Sequence, residues 1–312
     1  MIPVRVPDVF IGCDVGKHQI AVFDSRTCKT TVIANNPAAL AAFAATLDED
    51  GLAICEATGR YEAALLDALT AAGRRVHRAD ARKVKAFIRS WGTLGKTDAI
   101  DAGALARYGQ ERHATLRRWQ PEDPARQRLH ALIMTRHSLV ADHTAWSNRA
   151  KAPATAATDR FIQPVLACLK AQLAAIDAAI AALIAGEAPL DRSVARLRAI
   201  PGIGAQTAAA LVALMPELGR LGRRQAAALA GLAPHPNQSG TRNGYRRTQG
   251  GRPEVKRLLF MAAMAAARHH PALRQFHHRL IAAGKKRIVA LVAVMRKLVV
   301  ICNASLRPVL AG

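Results

Sequence analysis

The stretch VFIGCDVGKHQIAVFDSRTCKTTVIAN, residues 9–35, contains three apolar runs separated by short polar turns. Runs of this length, rich in β-branched and aromatic residues, are typical of β-strands. Side chains alternate along a strand, so Gly12 and Asp14 share one face of the first run. Both faces of that run are otherwise largely apolar, which predicts a buried strand at the centre of a sheet.

Helix and strand patterns alternate after this stretch. Asn36 followed by Pro37 predicts the N-terminus of a helix. The further predicted elements are, in chain order, a strand in GLAICEA (51–57), a helix in YEAALLDALTAAG (61–73), a strand in RRVHRA (74–79) and a helix from Asp98 to Tyr108. A meander followed by alternating helices and strands predicts a mixed α/β sheet with helices packed on it. We expect this domain to cover residues 1–124.

The middle region, residues 125–190, has a different pattern. Apolar residues from Ile162 to Leu183 recur at alternating spacings of four and three residues, which is a heptad seam. The segment KAPATAATD, residues 151–159, separates this predicted helix from the helix before it. The pattern fits an intermolecular coiled coil, and it fits an ordinary pair of packed helices within one chain equally well.

The remaining region, residues 191–312, is basic and is predicted to be mainly helical. The whole chain carries a formal charge of +23, and no Asp or Glu follows Glu254. Such a surface attracts phosphate backbones, so we expect a nucleic-acid partner. An anionic membrane surface is the competing partner, but we expect no apolar run long enough to span a bilayer. The five scattered cysteines predict reduced core thiols in a cytosolic protein.

Four carboxylates stand out against this basic background. Asp14 and Glu56 end apolar strand-like runs, and Asp98 and Asp101 share one helix face that Leu105 continues. Four acids brought together raise one another's pKa unless a cation neutralises them. Mg²⁺ prefers carboxylate oxygen, and two such ions about 4 Å apart can promote phosphodiester exchange. Each acid could instead be structural, as a turn residue, a helix-dipole partner or a surface residue.

Pro201-Gly202-Ile203-Gly204 lies between two predicted helical stretches. The two glycines permit a tight turn whose backbone N–H groups could hold a phosphate at a helix N-terminus, as in a helix-hairpin-helix. A simple packing turn between two helices is the alternative.

The segment APHPNQSGTRNGYRRTQGGR, residues 233–252, is predicted to form a long loop, and loops of this length inside compact domains are usually functional or disordered. Ser239 at its centre could attack a phosphodiester if nearby arginines hold the phosphate. These arginines are Arg242, Arg246, Arg247 and Arg252. Taken alone, a serine in this context is more often a turn residue than a nucleophile. Tyr245 is the competing nucleophile in the same loop, and its alternative role is stacking or packing.

Five ordered motifs together resemble one known family. They are CDVGKHQIAVFD, EATGRYE, GKTDAIDAGALARYG, IPGIGAQTAAAL and LAGLAPHPNQSGTRNGYRRTQGGRPEVKRLLF. They resemble, over nearly the whole chain, the DEDD insertion-sequence transposases of the insertion sequence 110 type, which are related to pilin-gene inverting recombinases. The resemblance implies a RuvC-like, RNase H-like N-terminal domain, a coiled-coil region and a C-terminal transposase domain.

The resemblance also implies roles for individual residues. Asp14, Glu56, Asp98 and Asp101 match the metal-binding tetrad, and Ser239 matches the catalytic serine that becomes linked to DNA. It implies Mg²⁺, with two ions expected and Mn²⁺ as a substitute. It further implies donor and target DNA, a structured guide RNA, a composite site built from two protomers of a homodimer or tetramer, and a cytoplasmic, nucleoid-associated location in a prokaryote.

Two other functions fit parts of the sequence. A RuvC-type structure-specific nuclease would use the tetrad and metal-activated water, without the serine. A non-enzymatic nucleic-acid-binding protein would use only the glycine turn and the basic C-terminal region.

Overall fold

The computed structural model describes residues 7–92, 97–121, 123–152, 157–239 and 242–311, without the side chains of residues 242, 243, 245 and 308–311. The chain divides into two compact units, Met1–Glu122 and Asp123–Gly312. Each unit has an apolar core of its own. The predicted middle and C-terminal regions thus belong to one compact unit.

A mixed five-stranded sheet forms the centre of the first unit. Its strands are β1 (Phe10–Val15), β2 (Gln19–Asp24), β3 (Lys29–Ala34), β4 (Leu52–Glu56) and β5 (Arg75–Ala79). Their order is β3-β2-β1-β4-β5, with β1 central as predicted. The β1–β2 and β2–β3 pairs are antiparallel, whereas β1–β4 and β4–β5 are parallel. This α/β sheet fits the expected RNase H-like domain.

The helices of the first unit are α1 (Pro37–Thr46), α2 (Ala63–Ala71), α3 (Ala81–Arg89) and α4 (Asp98–Arg112), and a 3₁₀ turn follows at His113–Thr115. Helices α1, α3 and α4 begin at the polar caps Asn36, Asp80 and Thr97, whose side chains accept from N–H groups of the first turn, whereas α2 has no side-chain cap. The Asn36 side chain accepts from the Ala39 nitrogen at 3.0 Å, which confirms the predicted start of α1. Helix α3 was not predicted, and α4 extends one turn beyond Tyr108.

The second unit is mainly helical. Its helices are α5 (Pro124–Ala150), α6 (Asp159–Gly186), α7 (Ala188–Arg198), α8 (Ala205–Leu214), α9 (Arg223–Leu229), α10 (Pro253–His269), α11 (Pro271–Ala282) and α12 (Arg287–Ala311). Helices α5 and α6 pack against each other within the chain. Ile162 and Ile180 of the heptad seam are buried, and Leu173 between them is half-buried. An intermolecular coiled coil stays a prediction.

The segment predicted as a long loop contains a β-hairpin instead. Strand β6 (Pro234–Ser239) pairs with the antiparallel strand β7 (Arg242–Thr248), with an irregularity in register between His235 and Asn237. Every residue of β6 is exposed, so no apolar alternation marks it as a strand in the sequence. The prediction of a loop was wrong, because the two strands are held together by backbone pairing, which leaves no pattern in the side chains.

The expectation that no apolar stretch reaches spanning length was also wrong. Helix α6 and residues Arg287–Arg307 of α12 are long and apolar enough to cross a membrane, by length and composition alone. Alanine and β-branched residues raise their hydropathy. The buried residues of α12 include Val294 and Leu298, which belong to the core of the second unit.

Only some of the cysteines lie in the core, a position that the sequence predicted for all of them. Cys13, Cys55 and Cys302 are buried, and burial raises the pKa of the Cys55 and Cys302 thiols to about 12. Cys28 and Cys168 are exposed, so the prediction of a core position was wrong for these two residues.

Candidate functional site

Asp14 and Glu56 lie side by side at the ends of neighbouring strands. Strands β1 and β4 are parallel, with Cys13 opposite Cys55. Each carboxylate follows its cysteine by one residue, so Asp14 and Glu56 stand at the same level and project from the same face of the sheet. Both residues are half-buried. The carboxyl ends of β1 and β4 therefore present two acids to one opening.

Helix α4 lies directly on this face, at Gly12. A Cβ atom on Gly12 would overlap the carbonyl oxygen of Ala102 and lie 2.6 Å from the nitrogen of Ala106. Only a residue without a side chain permits this approach of helix backbone to strand. Gly12 shares its face of β1 with Asp14, so α4 crosses the same face that carries the strand carboxylates.

The direction of α4 brings its acidic first turn toward Asp14. Further along the helix, Gly109 packs closely against Ile54 and Phe10, and Phe10 begins β1. The N-terminus of α4 consequently points toward the carboxyl end of β1. Asp98 and Asp101 both lie in that first turn, where the helix dipole favours negative charge.

All four carboxylates line one cleft of about 580 Å³. Asp98 is exposed and Asp101 is half-buried, and the buried Leu105 continues their helix face into the cleft wall. The structure thus brings together Asp14, Glu56, Asp98 and Asp101, which lie far apart in the sequence.

The donor set of this cleft fits a hard divalent cation, because carboxylate oxygens are the ligands that Mg²⁺ and Mn²⁺ accept most readily. Within the described part of the chain, no three Asp, Glu, His or Cys side chains are already grouped closely enough to hold one ion. The four carboxylates therefore border a shared opening, and as described they do not yet form a closed set of ligands around one ion.

Two cations that the sequence analysis missed line the same cleft. Lys85 and Arg89 lie one turn apart on α3, and both are exposed. The missed helix did carry a recognisable pattern, since its buried residues Val84 and Phe87 are three apart and Asp80 caps its start.

A rigid turn follows Glu56 at the edge of this site. Glu62, only 1% exposed, accepts from the Thr58 nitrogen at 3.1 Å and from Nε and Nη2 of Arg78 at 2.8 and 2.6 Å. Burial alone would raise the pKa of the Glu62 carboxyl, but backbone hydrogen bonds and Arg78 lower it below its ordinary value. The Asn35 amide then ties this turn to the strand connection, donating to the Tyr61 and Gly16 carbonyls at 3.2 and 2.9 Å.

In the second unit, Ser239 is the last residue of β6, where it pairs with Arg242. The base of this hairpin is fixed, because Lys256 Nζ donates to Thr248 Oγ1 at 3.0 Å. Six strand residues span about 17 Å, so exposed Ser239 stands well away from that base. Gly240, Thr241 and the side chains of Arg242 and Tyr245 lie outside the described residues.

The predicted nucleic-acid-binding arginines of the hairpin have different surroundings. Arg246 and Arg247 are exposed on β7. Arg252 instead donates to the Leu214 carbonyl at 2.7 Å and to both oxygens of Glu217 at 2.8 and 2.6 Å. Burial acts to raise the pKa of Glu217, but the hydrogen bonds from Arg252 lower it overall. This geometry gives Arg252 a structural role in anchoring the hairpin.

The two glycines of the predicted phosphate-binding turn also differ. Gly202 has a φ of +98°, and a Cβ there would lie 2.6 Å from the nitrogen of Ala266 on α10. Gly202 is therefore required for packing. Gly204 is exposed at the N-cap of α8, and Gln206 in the first turn donates to Asp177 at 3.1 Å.

Comparison with known proteins gives consistent matches. A DEDD family model described as "Transposase" matches residues 11–155, and one described as "Transposase IS116/IS110/IS902 family" matches residues 194–278. The pilin gene-inverting proteins of Moraxella bovis and Moraxella lacunata are 30% and 29% identical over 263 residues, covering 81% of this chain and 79% of theirs. The first model spans the four carboxylates, and the second spans Ser239.

Proposed function

The chain belongs to the IS110-type family of transposases, and on this premise we propose that it catalyses metal-dependent cleavage and exchange of DNA strands at the ends of an insertion sequence. In this proposal Ser239 is the nucleophile. The cleft of Asp14, Glu56, Asp98 and Asp101 is the metal site. DNA substrates and an enzymatic role on DNA follow from the family itself.

The observation that carries the proposal is the convergence of all four acids on one cleft. We expect this site to hold Mg²⁺, with two ions when fully loaded and with Mn²⁺ as a substitute. When bound, the metal would supply positive charge for the attacking and leaving oxygens of phosphodiester exchange. The four carboxylates would bind the metal beside the carboxyl ends of β1 and β4.

The serine supplies the covalent step. Its hydroxyl oxygen attacks the phosphorus of the cut strand, and a deoxyribose oxygen leaves as a hydroxyl. The proton lost by Ser239 balances the proton that the leaving oxygen takes up, and the protein is left esterified to DNA. The exposed Arg246 and Arg247 on the same hairpin would bind backbone phosphates. Gly204 would contribute a phosphate contact at the start of α8.

Ser239 and the carboxylates lie in different compact units of the chain. The family resemblance supports a site completed between protomers of a homodimer or tetramer. An exposed serine at the far end of a projecting hairpin suits this assembly, since it can approach another protein surface without unfolding a core.

The same resemblance supports a structured guide RNA transcribed from the element's non-coding end. The charge of +23 suits binding of either nucleic acid, because Lys and Arg neutralise phosphates of both. Addition of RNA transcribed from the flanking DNA should raise recombination of a matched target at least tenfold over a scrambled RNA. Equal recombination with both RNAs would refute guidance.

Recombination between a donor and a target plasmid in cells tests the function. We expect Ser239→Ala and Asp14→Asn each to abolish joined products. Asp67→Asn is the matched control, because Asp67 is an exposed acid on α2 outside the cleft, and it should recombine normally. Recombination that survives Asp14→Asn would refute the metal site. Strand cleavage that survives Ser239→Ala would indicate a nuclease that uses water.

A further inference from the structure

Helix α3 forms a basic wall of the carboxylate cleft. Lys85 and Arg89, at positions i and i+4, lie on one helix face and line the cleft together with Ile88. Phe87 is buried on the opposite side of the helix, and the buried Val84 joins the core to the cleft lining, so both residues fix α3 in the first unit. The two cations therefore face the opening that also holds Asp14, Glu56, Asp98 and Asp101.

The end of α3 is fixed by contacts with α4. The Arg107 guanidinium lies 3.6 Å above the Trp91 ring, and Phe87 packs edge-on against Tyr108 with 5.2 Å between ring centroids. Arg107 also donates to Glu111 at 2.9 Å. These contacts join α3 to the helix that carries Asp98 and Asp101. The position of Arg89 relative to those acids is thus determined by packing.

Across the described residues, neither Lys85 nor Arg89 forms a salt bridge or side-chain hydrogen bond, whereas Arg78 and Arg107 of the same unit are engaged by Glu62 and Glu111. An anionic DNA strand that enters a cleft of four carboxylates is repelled unless positive charge faces it as well. Lys85 and Arg89, which pair with no side chain among the residues that the structure describes, would supply this charge from the cleft wall.

We propose that Lys85 and Arg89 form a binding site for DNA backbone phosphates on the wall of the carboxylate cleft, and that this site positions the strand to be cut. The claim that Lys85 and Arg89 bind phosphate depends only on the geometry of the cleft. The effect on cleavage rests on the proposed function. Arg89 can engage a phosphate through two N–H groups, and Lys85 contributes a compact charge one turn earlier.

The same helix supplies a matched control. Arg82 and Lys83 are also exposed basic residues of α3, but they are not part of the cleft lining. Lys83 instead acts on His77 of β5, lowering the pKa of its imidazole together with the larger effect of burial. If the basic residues of α3 only formed a solvated surface, removal of either pair should weaken DNA binding equally. If the cleft holds a phosphate site, only removal of Lys85 and Arg89 should weaken it.

The first test is the salt dependence of DNA binding by the full chain. Affinity for a fluorescent 20-base-pair duplex would be measured at several KCl concentrations for wild type, Lys85→Ala/Arg89→Ala and Arg82→Ala/Lys83→Ala. Each lost phosphate contact reduces the slope of log K against log salt by about 0.9, so the cleft variant should lose about 1.8. The control should keep the wild-type slope. Equal slopes for wild type and the cleft variant would overturn the proposal, as would equal losses in the two variants.

The second test separates positioning from bulk binding. With saturating DNA and Mg²⁺, the cleft variant should cut an element-end substrate on the order of 100-fold more slowly, because misplacement of the reacting phosphate costs about this much. The single variant Lys85→Arg should keep most of the wild-type cleavage rate, since it keeps the positive charge at this position. Cleavage by the cleft variant at the wild-type rate would overturn the positioning role.

The two proposals fail in different ways. If Asp14→Asn cuts as fast as wild type, the proposed metal chemistry fails, while the salt slopes still test the phosphate site. The four substituted side chains of α3, at Arg82, Lys83, Lys85 and Arg89, are exposed, so the melting temperatures of both double variants should match wild type. If the double variant does not fold, the single variants Lys85→Gln and Arg89→Gln each should reduce the slope by about 0.9.

Discussion

Substitution of Gly12 by alanine tests how the site is assembled. The added methyl group would overlap the Ala102 carbonyl oxygen and lie 2.6 Å from the Ala106 nitrogen. Carbon atoms in ordinary contact stand about 3.5–4 Å from such neighbours. Helix α4 would therefore have to withdraw from β1 by about 1.5 Å, and its first turn with Asp98 and Asp101 would move with it.

The expected cost follows from the nature of the obstructing atoms. Both are backbone atoms, so no change of rotamer can relieve the overlap. Overpacking a core costs about 1–3 kcal/mol, and we expect Gly12→Ala to reach the upper end, about 3 kcal/mol. For a unit of this size, a loss of that magnitude lowers the melting temperature by about 10 °C. The loss of fixed geometry should also weaken Mn²⁺ binding by about tenfold or more.

Thermal unfolding of the full chain, hydrogen exchange of β1 and α4 peptides, and Mn²⁺ titration are the assays. Gly103→Ala is the matched control on α4, because its Cβ would stand 3.7 Å from the Phe23 ring, in ordinary contact. Replacing a helical glycine by alanine stabilises by up to about 1 kcal/mol, so the control should melt at or above wild type. If Gly12→Ala melts within 2 °C of wild type and keeps its Mn²⁺ affinity, the close crossing of α4 over β1 is refuted.

Two further predictions concern the hairpin arginines. Arg252→Ala should destabilise the chain by about 1 kcal/mol at neutral pH, because it removes the ion pair with Glu217, which is partly exposed and therefore screened by solvent. Since the pKa of Glu217 is lowered in the folded state, the contribution of the pair is present above the ordinary pKa of glutamate and is lost as pH falls through the folded value. Equal stability of wild type and variant at pH 7 would contradict this. Arg246→Ala/Arg247→Ala should leave the melting temperature unchanged but reduce the salt slope of DNA binding by about 1.8; an unchanged slope would show that these arginines do not contact phosphate.

Local patterns in the sequence predicted the centre of the first unit. The two apolar faces of residues 9–15 placed β1 in the middle of the sheet, because only a strand covered on both sides buries them. The spacing of Asp98 and Asp101 placed both acids on one helix face. The crossing of α4 over Gly12 could not be predicted, because it is a contact between segments distant in the chain and no local sequence pattern marks it.

The missed elements have physical reasons as well. In α3, the basic residues between Asp80 and Arg89 obscure the buried pair Val84 and Phe87. The hairpin around Ser239 is held by backbone pairing and exposes all of β6, so its side chains carry no period of two. Arg252 looked like its neighbours Arg246 and Arg247, and only the position of Glu217, 35 residues away, distinguishes it.

Mapping of a covalent protein–DNA adduct tests the central claim most directly. Full-length protein would be incubated with element-end DNA, the proposed guide RNA and Mg²⁺, then digested, and the DNA-linked peptide identified by mass spectrometry. We predict a phosphodiester link on Ser239 that disappears in Ser239→Ala, on omission of Mg²⁺ and in Asp14→Asn, and that persists in Tyr245→Phe. An adduct that survives Ser239→Ala, or that maps to Tyr245, would contradict the assignment of the nucleophile.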